Sequence, residues 1–169
     1  MKILVLTLGL ALVCGLQALD DNKGGDLLEL SGVWYSIGLA SDNESKIKGE
    51  GVYKMFVKNI KEDNGMLVGN FMKRENGKCV PFTLTGQVVD DVIIVQYDGM
   101  NKGYIKGKGR DYVIFVLYNY KNGKVTIWAE LYGRTPDLTD EIKNLFVEIC
   151  KEHGISKDQI VDLSKEDRC

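Results

Sequence analysis

The sequence predicts an all-β protein, an eight-stranded antiparallel up-and-down β-barrel with one C-terminal α-helix packed outside it. Three observations carry that prediction. Between Val33 and Tyr132, short runs rich in Val, Ile, Tyr and Phe alternate with turn signals, the pattern of an all-β chain. Three of the turns are Asn-Gly pairs, Asn64-Gly65, Asn76-Gly77 and Asn122-Gly123, and Asn-Gly favours the positive φ angles of a type I′ hairpin. After the last run, Ile142, Leu145, Phe146 and Ile149 recur at helical spacing.

The elements follow in order. The opening stretch MKILVLTLGLALVCGLQA has Lys2, an apolar run from Ile3 to Val13 and small residues at Gly15 and Ala18, the layout of a secretory leader. We expect a signal peptide over 1–18 and a single domain over 19–169. The apolar run is too short for a spanning helix and no second one follows, so membrane insertion is not expected. Strands are expected over 33–40, 52–61, 66–73, 79–88, 92–98, 102–106, 111–120 and 124–132. A meander of this size removes its exposed edges by closing into a barrel. The helix begins at Thr139 as N-cap, with Asp140 and Glu141 in its first turn, and ends near Lys151 and His153 with Gly154 at C′. Ile160 to Leu163 is expected to return as a short added strand.

Composition narrows the function. The formal charge is −2, and loss of the leader with Lys2 makes it −3, with no basic stripe for phosphate backbones. Nucleic acid is not an expected partner. Cys14 leaves with the leader, so Cys79, Cys150 and Cys169 remain, most simply as one disulfide and one spare thiol. The helical spacing around Cys150 half-buries it as a small hydrophobe. His153, the one His of the chain, lies three residues from Cys150 at a helix end with no evident oxyanion site, so no catalytic residue is assigned. A zinc site needs three or four His or Cys ligands, and neither metal nor cofactor is expected. The segment GYIKGKGR lacks the Gly-Lys-Ser/Thr ending of a phosphate loop and reads as a solvated hairpin. Asn43-Glu44-Ser45 is an N-glycosylation sequon, which makes Asn43 a candidate modification site.

Strand parity points to an interior cavity. Over 124–132, Val125, Ile127, Ala129 and Leu131 form an aliphatic face suited to packing under the helix. That turns Trp128, Glu130 and Tyr132 inward, where a lone carboxylate needs a hydrogen-bond partner or a ligand. Tyr53, Met55 and Val57 form a comparable row on the second strand. Over 111–120 both faces avoid water, one carrying Val116, Tyr118 and Tyr120 and the other Val113, Phe115 and Leu117. Barrels of eight strands are about the size that holds one small ligand.

Gly32-Val33-Trp34 resembles the Gly-x-Trp signature of lipocalins, Asp111-Tyr112 the centre of their second motif and Gly133-Arg134 their third. Arg110 stands where that second motif usually has Thr. YDGMN at 97–101, LYGRTPDL at 131–138 and the stretch from CKEHGI to the C-terminal Cys are similar to the major urinary and salivary group. The resemblance implies a disulfide between Cys79 and Cys169, and a structural trio in which Arg134 lies across Trp34 beside Gly32. It also implies a set of cavity residues. These are Tyr53, Met55, Val57, Leu67, Phe71, Leu84, Val95, Val116, Tyr118, Tyr120, Trp128 and Tyr132, with Glu130 added from the parity above. The function implied is a secreted carrier of a small hydrophobic molecule, aromatic or phenolic, of the pheromone or odorant type. Hydrogen bonds from Tyr118, Tyr120, Tyr132 or Glu130 would orient it. The alternative is an abundant secretory protein, a whey nutrient or a protein signal, with an incidental cavity. Beyond the ligand, a cell-surface receptor is the partner considered, and the chain is expected to be a monomer or weak homodimer.

Overall fold

The structure is a computed structural model that describes residues 29–169; the expected leader lies outside the described residues. Ten strands follow one another as β1 (Gly32–Val33), β2 (Tyr35–Ser41), β3 (Met55–Asp63), β4 (Met66–Glu75), β5 (Lys78–Val89), β6 (Val92–Gln96), β7 (Met100–Lys108), β8 (Tyr112–Lys121), β9 (Lys124–Gly133) and β10 (Ile160–Asp162). Helix α1 (Asp140–Glu152) lies between β9 and β10. The expected strands are all present, most with ends shifted by a few residues. The second starts at Met55, which leaves Tyr53 in the loop before it.

All ten strands form one antiparallel sheet in the order β1-β3-β4-β5-β6-β7-β8-β9-β2-β10. Because β1 and β2 are separated only by Trp34, the sheet closes on itself: β1 pairs with β3 and β2 with β9. Counting β1 and β2 as one interrupted strand gives the expected eight-stranded barrel, and β10 adds to β2 outside it through the register Val161↔Leu39. Local chemistry sets the turns. Asn64, Asn76 and Asn122 have φ of 51° and the glycines after them 74–78°, the two positive angles that a type I′ turn requires.

Two cores share the sheet. Inside the barrel lie Trp34, Leu39, Met55, Phe71, Phe115, Trp128 and Tyr132 with their neighbours. Outside it, Ile37, Ala40, Ile114, Val116, Ala129 and Leu131 pack against Phe146, Ile149 and Cys150 of α1. Helix α1 starts where Thr139 accepts a hydrogen bond from the Ile142 amide, and Gly154 follows its end at φ 80°. Gly38 lets the helix sit close, since a Cβ there would stand 2.7 Å from the Phe146 ring. Both β2 and β9 therefore face apolar surroundings on both sides, as does β8.

Cys79 is bonded to Cys169 across a sequence separation of 90 residues, which pins the tail to β5. Lys54 pairs with Glu166 at 2.6 Å and Arg74 with Asp167 at 3.0 Å along the same tail. A loop of that length predicts, from chain entropy, that changing both Cys79 and Cys169 to Ser lowers stability by about 4.6 kcal/mol. Urea unfolding of the double variant checks this; a loss well under about 1 kcal/mol would contradict it.

Candidate ligand-binding site

The barrel is closed at the end where β2 begins. Trp34 is buried there, its indole N–H donates to the Leu30 carbonyl at 2.6 Å, and the Arg134 guanidinium stacks 3.6 Å from its ring centroid. Arg134 also donates to the carbonyls of Val33 and Ser31 at 2.9 and 3.0 Å, so one cation ties the entering chain to the last barrel strand. Gly32 has φ 112°, and a Cβ on it would stand 3.1 Å from that guanidinium. The trio of Gly32, Trp34 and Arg134 is thus a structural plug.

The opposite end is covered by the loop of residues 42–54. Tyr53 stacks on Trp128 with ring centroids 4.1 Å apart, and the Tyr97 hydroxyl donates to the Val52 carbonyl. Lys46 bridges to Asp98 at 2.8 Å, and Asp98 also holds Lys121. Burial by itself would raise the Asp98 carboxyl; hydrogen bonds from Lys121 and Lys46 overcome that and hold it below its ordinary value. Asn43 is exposed in this loop, where its side chain accepts the Ser45 hydroxyl at 2.7 Å.

Between the two ends lies a cavity of about 90 Å³. Of the residues predicted for it, Met55, Leu67, Phe71, Leu84, Val95, Trp128, Glu130 and Tyr132 line its wall. Tyr53 and Val57 lie in the interior core but outside that wall. Val116, Tyr118 and Tyr120 do not face the cavity, and that part of the expectation is corrected. Val116 and Tyr118 pack in the sheet–helix core, and Tyr120 is 41% exposed. The physical reason is register: in the β8–β9 hairpin Leu117 stands opposite Trp128, Phe115 opposite Glu130 and Val113 opposite Tyr132. Directly paired residues share a face, so Phe115 and Leu117 go inward with Trp128 and Glu130.

The wall also includes Ile60, Gly69, Gly86, Ile93, Tyr97, Asn101 and Gly103, which were not predicted. Ile60 escaped because β3 bulges between Val57 and Asn59, which reverses the alternation. Asn101 is held on all sides. Its amide donates to the carbonyls of Val95 and Tyr97, and its oxygen accepts from Asn119 and the Trp128 indole.

Depth follows from the pairing of β2 with β9. Ser41 faces Trp128, Leu39 faces Glu130 and Ser36 faces Tyr132, so Glu130 and Tyr132 lie below Trp128, toward the plug. Glu130 is only 6% exposed, and its Oε2 accepts the Tyr132 hydroxyl at 2.8 Å. Burial pushes its carboxyl up to about 7, with the Tyr132 hydrogen bond opposing the shift. The Tyr132 phenol is raised well above its ordinary value by burial and by the carboxylate beside it.

Cys150, by contrast, is a free thiol buried under the sheet, and burial pushes it up to about 12, the reverse of an activated nucleophile. His153 Nδ1 lies 2.8 Å from the Ile149 carbonyl within the same helix end. Among the described residues no group of three or more His, Cys, Asp or Glu is placed to hold a metal ion.

Glu130 makes the stability of the fold depend on pH. Its folded pKa lies above its unfolded one, so the folded state binds the extra proton and loses stability as pH rises from about 4.5 to about 7. The loss is on the order of 3 kcal/mol. Unfolding free energies of wild type and Glu130→Gln across that range check it, because the difference between the two curves isolates Glu130. A constant difference would contradict it.

The comparisons with known proteins agree with this architecture. The model of the lipocalin / cytosolic fatty-acid binding protein family matches residues 31–167. Trichosurin of Trichosurus vulpecula is 39% identical over the whole of both chains. Major urinary protein 4 of Mus musculus is 39% identical over 98% of this chain and 96% of its own. The crystal structure of the possum milk whey lipocalin trichosurin with bound 4-ethylphenol superimposes with a TM-score of 0.79 and 38% identity. It covers 83% of this chain and 100% of that one. With a closed barrel, a Trp–Arg plug, a flanking helix and full-length relatives, the chain belongs to the lipocalin family.

Proposed function

We propose that this protein is a secreted carrier that holds one small, single-ring hydrophobic molecule of the phenol type inside its barrel, without catalysis. The observation that carries the reading is the cavity itself, a small apolar space with a single carboxyl–phenol pair in its wall. Its volume of about 90 Å³ is below the roughly 150 Å³ of an engineered apolar cavity that takes up benzene. One aromatic ring fits once the side chains yield slightly, and a long acyl chain does not. Trichosurin's complex with 4-ethylphenol supports the same ligand class, and relatives named for whey and urine support a secreted carrier. We assign the ligand contacts to Met55, Leu67, Phe71, Phe115, Leu117 and Trp128, and the orienting hydrogen bond to Glu130 and Tyr132.

Such a guest has about nine heavy atoms, and typical small ligands fall well below the ceiling of about 1.5 kcal/mol per atom. Micromolar affinity is expected. Native mass spectrometry of protein purified from its natural secretion tests the reading, and a stoichiometric aromatic adduct is the expected result. An empty barrel that also refuses a fluorescent apolar probe would overturn it.

Gly103 offers a check that the cavity is the binding place. A Cβ there would meet its nearest neighbours at 3.4–3.5 Å, an ordinary contact, so Gly103→Val should fold while filling part of the space. Displacement titrations should show affinity for a single-ring guest falling by about tenfold or more. Unchanged affinity would mean that the guest binds elsewhere.

A further inference from the structure

The two oxygens of Glu130 are not equivalent. Oε2 accepts the Tyr132 hydroxyl at 2.8 Å, and among the described residues that is the carboxyl's one hydrogen bond. The other polar groups of the wall are engaged elsewhere. Asn101 bonds two carbonyls, Asn119 and the Trp128 indole, and the Tyr97 hydroxyl donates to Val52. Among the described residues that line the wall, Oε1 of Glu130 is the side-chain polar atom left without a hydrogen-bond partner, and a polar atom on a guest can pair there.

Among the described residues the surroundings supply no fixed charge there. On β9 Glu130 is flanked by Trp128 and Tyr132, across β8 it faces Phe115 and across β2 Leu39. Met55 of β3, Tyr97 beyond β6 and Asn101 of β7 share its cavity. The titratable groups among these are Tyr132 and Tyr97, both raised by burial and so neutral phenols, and among the described residues no Lys, Arg or His lines the wall. The proton on Glu130 alone decides whether this place accepts or donates a hydrogen bond.

Building on the carrier reading above, we propose that Glu130 is a protonation switch for guest class: ionised it selects guests that donate a hydrogen bond, such as phenols, and protonated it selects guests that only accept one, such as ketones and aldehydes. An ionised carboxyl is acceptor-only. A carbonyl guest would then set acceptor against acceptor in a dry site and leave both unpaired. A protonated carboxyl keeps Tyr132 on Oε2 and turns the proton on Oε1 toward the guest oxygen. No covalent bond changes; the proton passes between Glu130 and the buffer. A phenol can accept from the protonated form as well, but its bond to the carboxylate is charge-assisted and the stronger of the two; it therefore releases protons on binding and gains affinity as pH rises, while a ketone takes protons up and loses affinity. Burial places the titration of Glu130 near 7, within the range where the exchange is measurable.

Isothermal titration calorimetry with 4-ethylphenol and with acetophenone, two guests of equal heavy-atom count, tests the switch. Near pH 7, runs in two buffers of different ionisation heat should show partial proton release for the phenol and partial uptake for the ketone. Between about pH 5.5 and about pH 8.5, the ratio of the two affinities should change by about tenfold or more in favour of the phenol. In Glu130→Gln both responses should be flat. Responses of the same sign for both guests, or opposite responses retained in Glu130→Gln, would overturn the switch while leaving the carrier standing. Failure of both guests and of ethylbenzene to bind at any pH would overturn the carrier itself. The wild-type proton count decides the matter even if the variant does not fold.

Discussion

A single antiparallel sheet can bury one face on itself only if its two edges meet, and here they meet on either side of Trp34. The residues before it pair with β3 and those after it with β9, so the indole sits where the strand changes neighbours. Trp34 keeps one backbone link to β3, from its amide to the Lys58 carbonyl at 3.2 Å. Further along, the Ser36 hydroxyl accepts the Val57 amide at 2.9 Å, stitching β2 to β3 where backbone pairing has stopped. Arg134 covers the junction from outside. Without this closure β1 and β3 would be open edges, and the inner face would have no interior to enclose.

Closure also explains the unequal chemistry of the two faces. The outer face of β2, β8 and β9 is covered by α1, and Ile114, Val116, Ala129 and Leu131 beneath the helix are purely aliphatic. The inner face is lined from all directions and can satisfy a few polar side chains without water. Asn101 anchors Trp128 near the loop-covered end, and Tyr132 supports Glu130 deeper down. The first group is fully engaged and stiffens the barrel. The second keeps an acceptor in reserve, and that difference separates a structural polar group from a binding one.

Much of this was legible in the sequence because its causes are local. The Asn-Gly turns, the Thr139 cap and the aliphatic face of β9 each follow from a few adjacent residues. The inward row of Trp128, Glu130 and Tyr132 followed from the last of these. The register of β8 is also encoded locally. Once Asn122-Gly123 is read as a two-residue turn, Leu117 must face Trp128 and Phe115 must face Glu130, whatever position-by-position resemblance suggests. Other features had no local signal. The bulges between Ser36 and Gly38, Val57 and Asn59, and Ile105 and Gly107 arise from curving the sheet, so alternation alone misplaces Ile60. Tyr97 and Asn101 enter the site through the tight turn at Asp98-Gly99, whose φ values of 49° and 110° bring side chains from beyond β6 over the cavity.

The proposed binding mode places one ring within the barrel with its polar atom at the Glu130–Tyr132 pair. A crystal structure of the protein soaked with 4-ethylphenol tests this most directly. The ring is expected against Phe115 and Leu117, with the phenol oxygen at hydrogen-bond distance, about 2.7 Å, from Glu130. A ring seated on the outer face beside Tyr118 and Tyr120, or held in the barrel with its oxygen turned away from Glu130 and Tyr132, would contradict it.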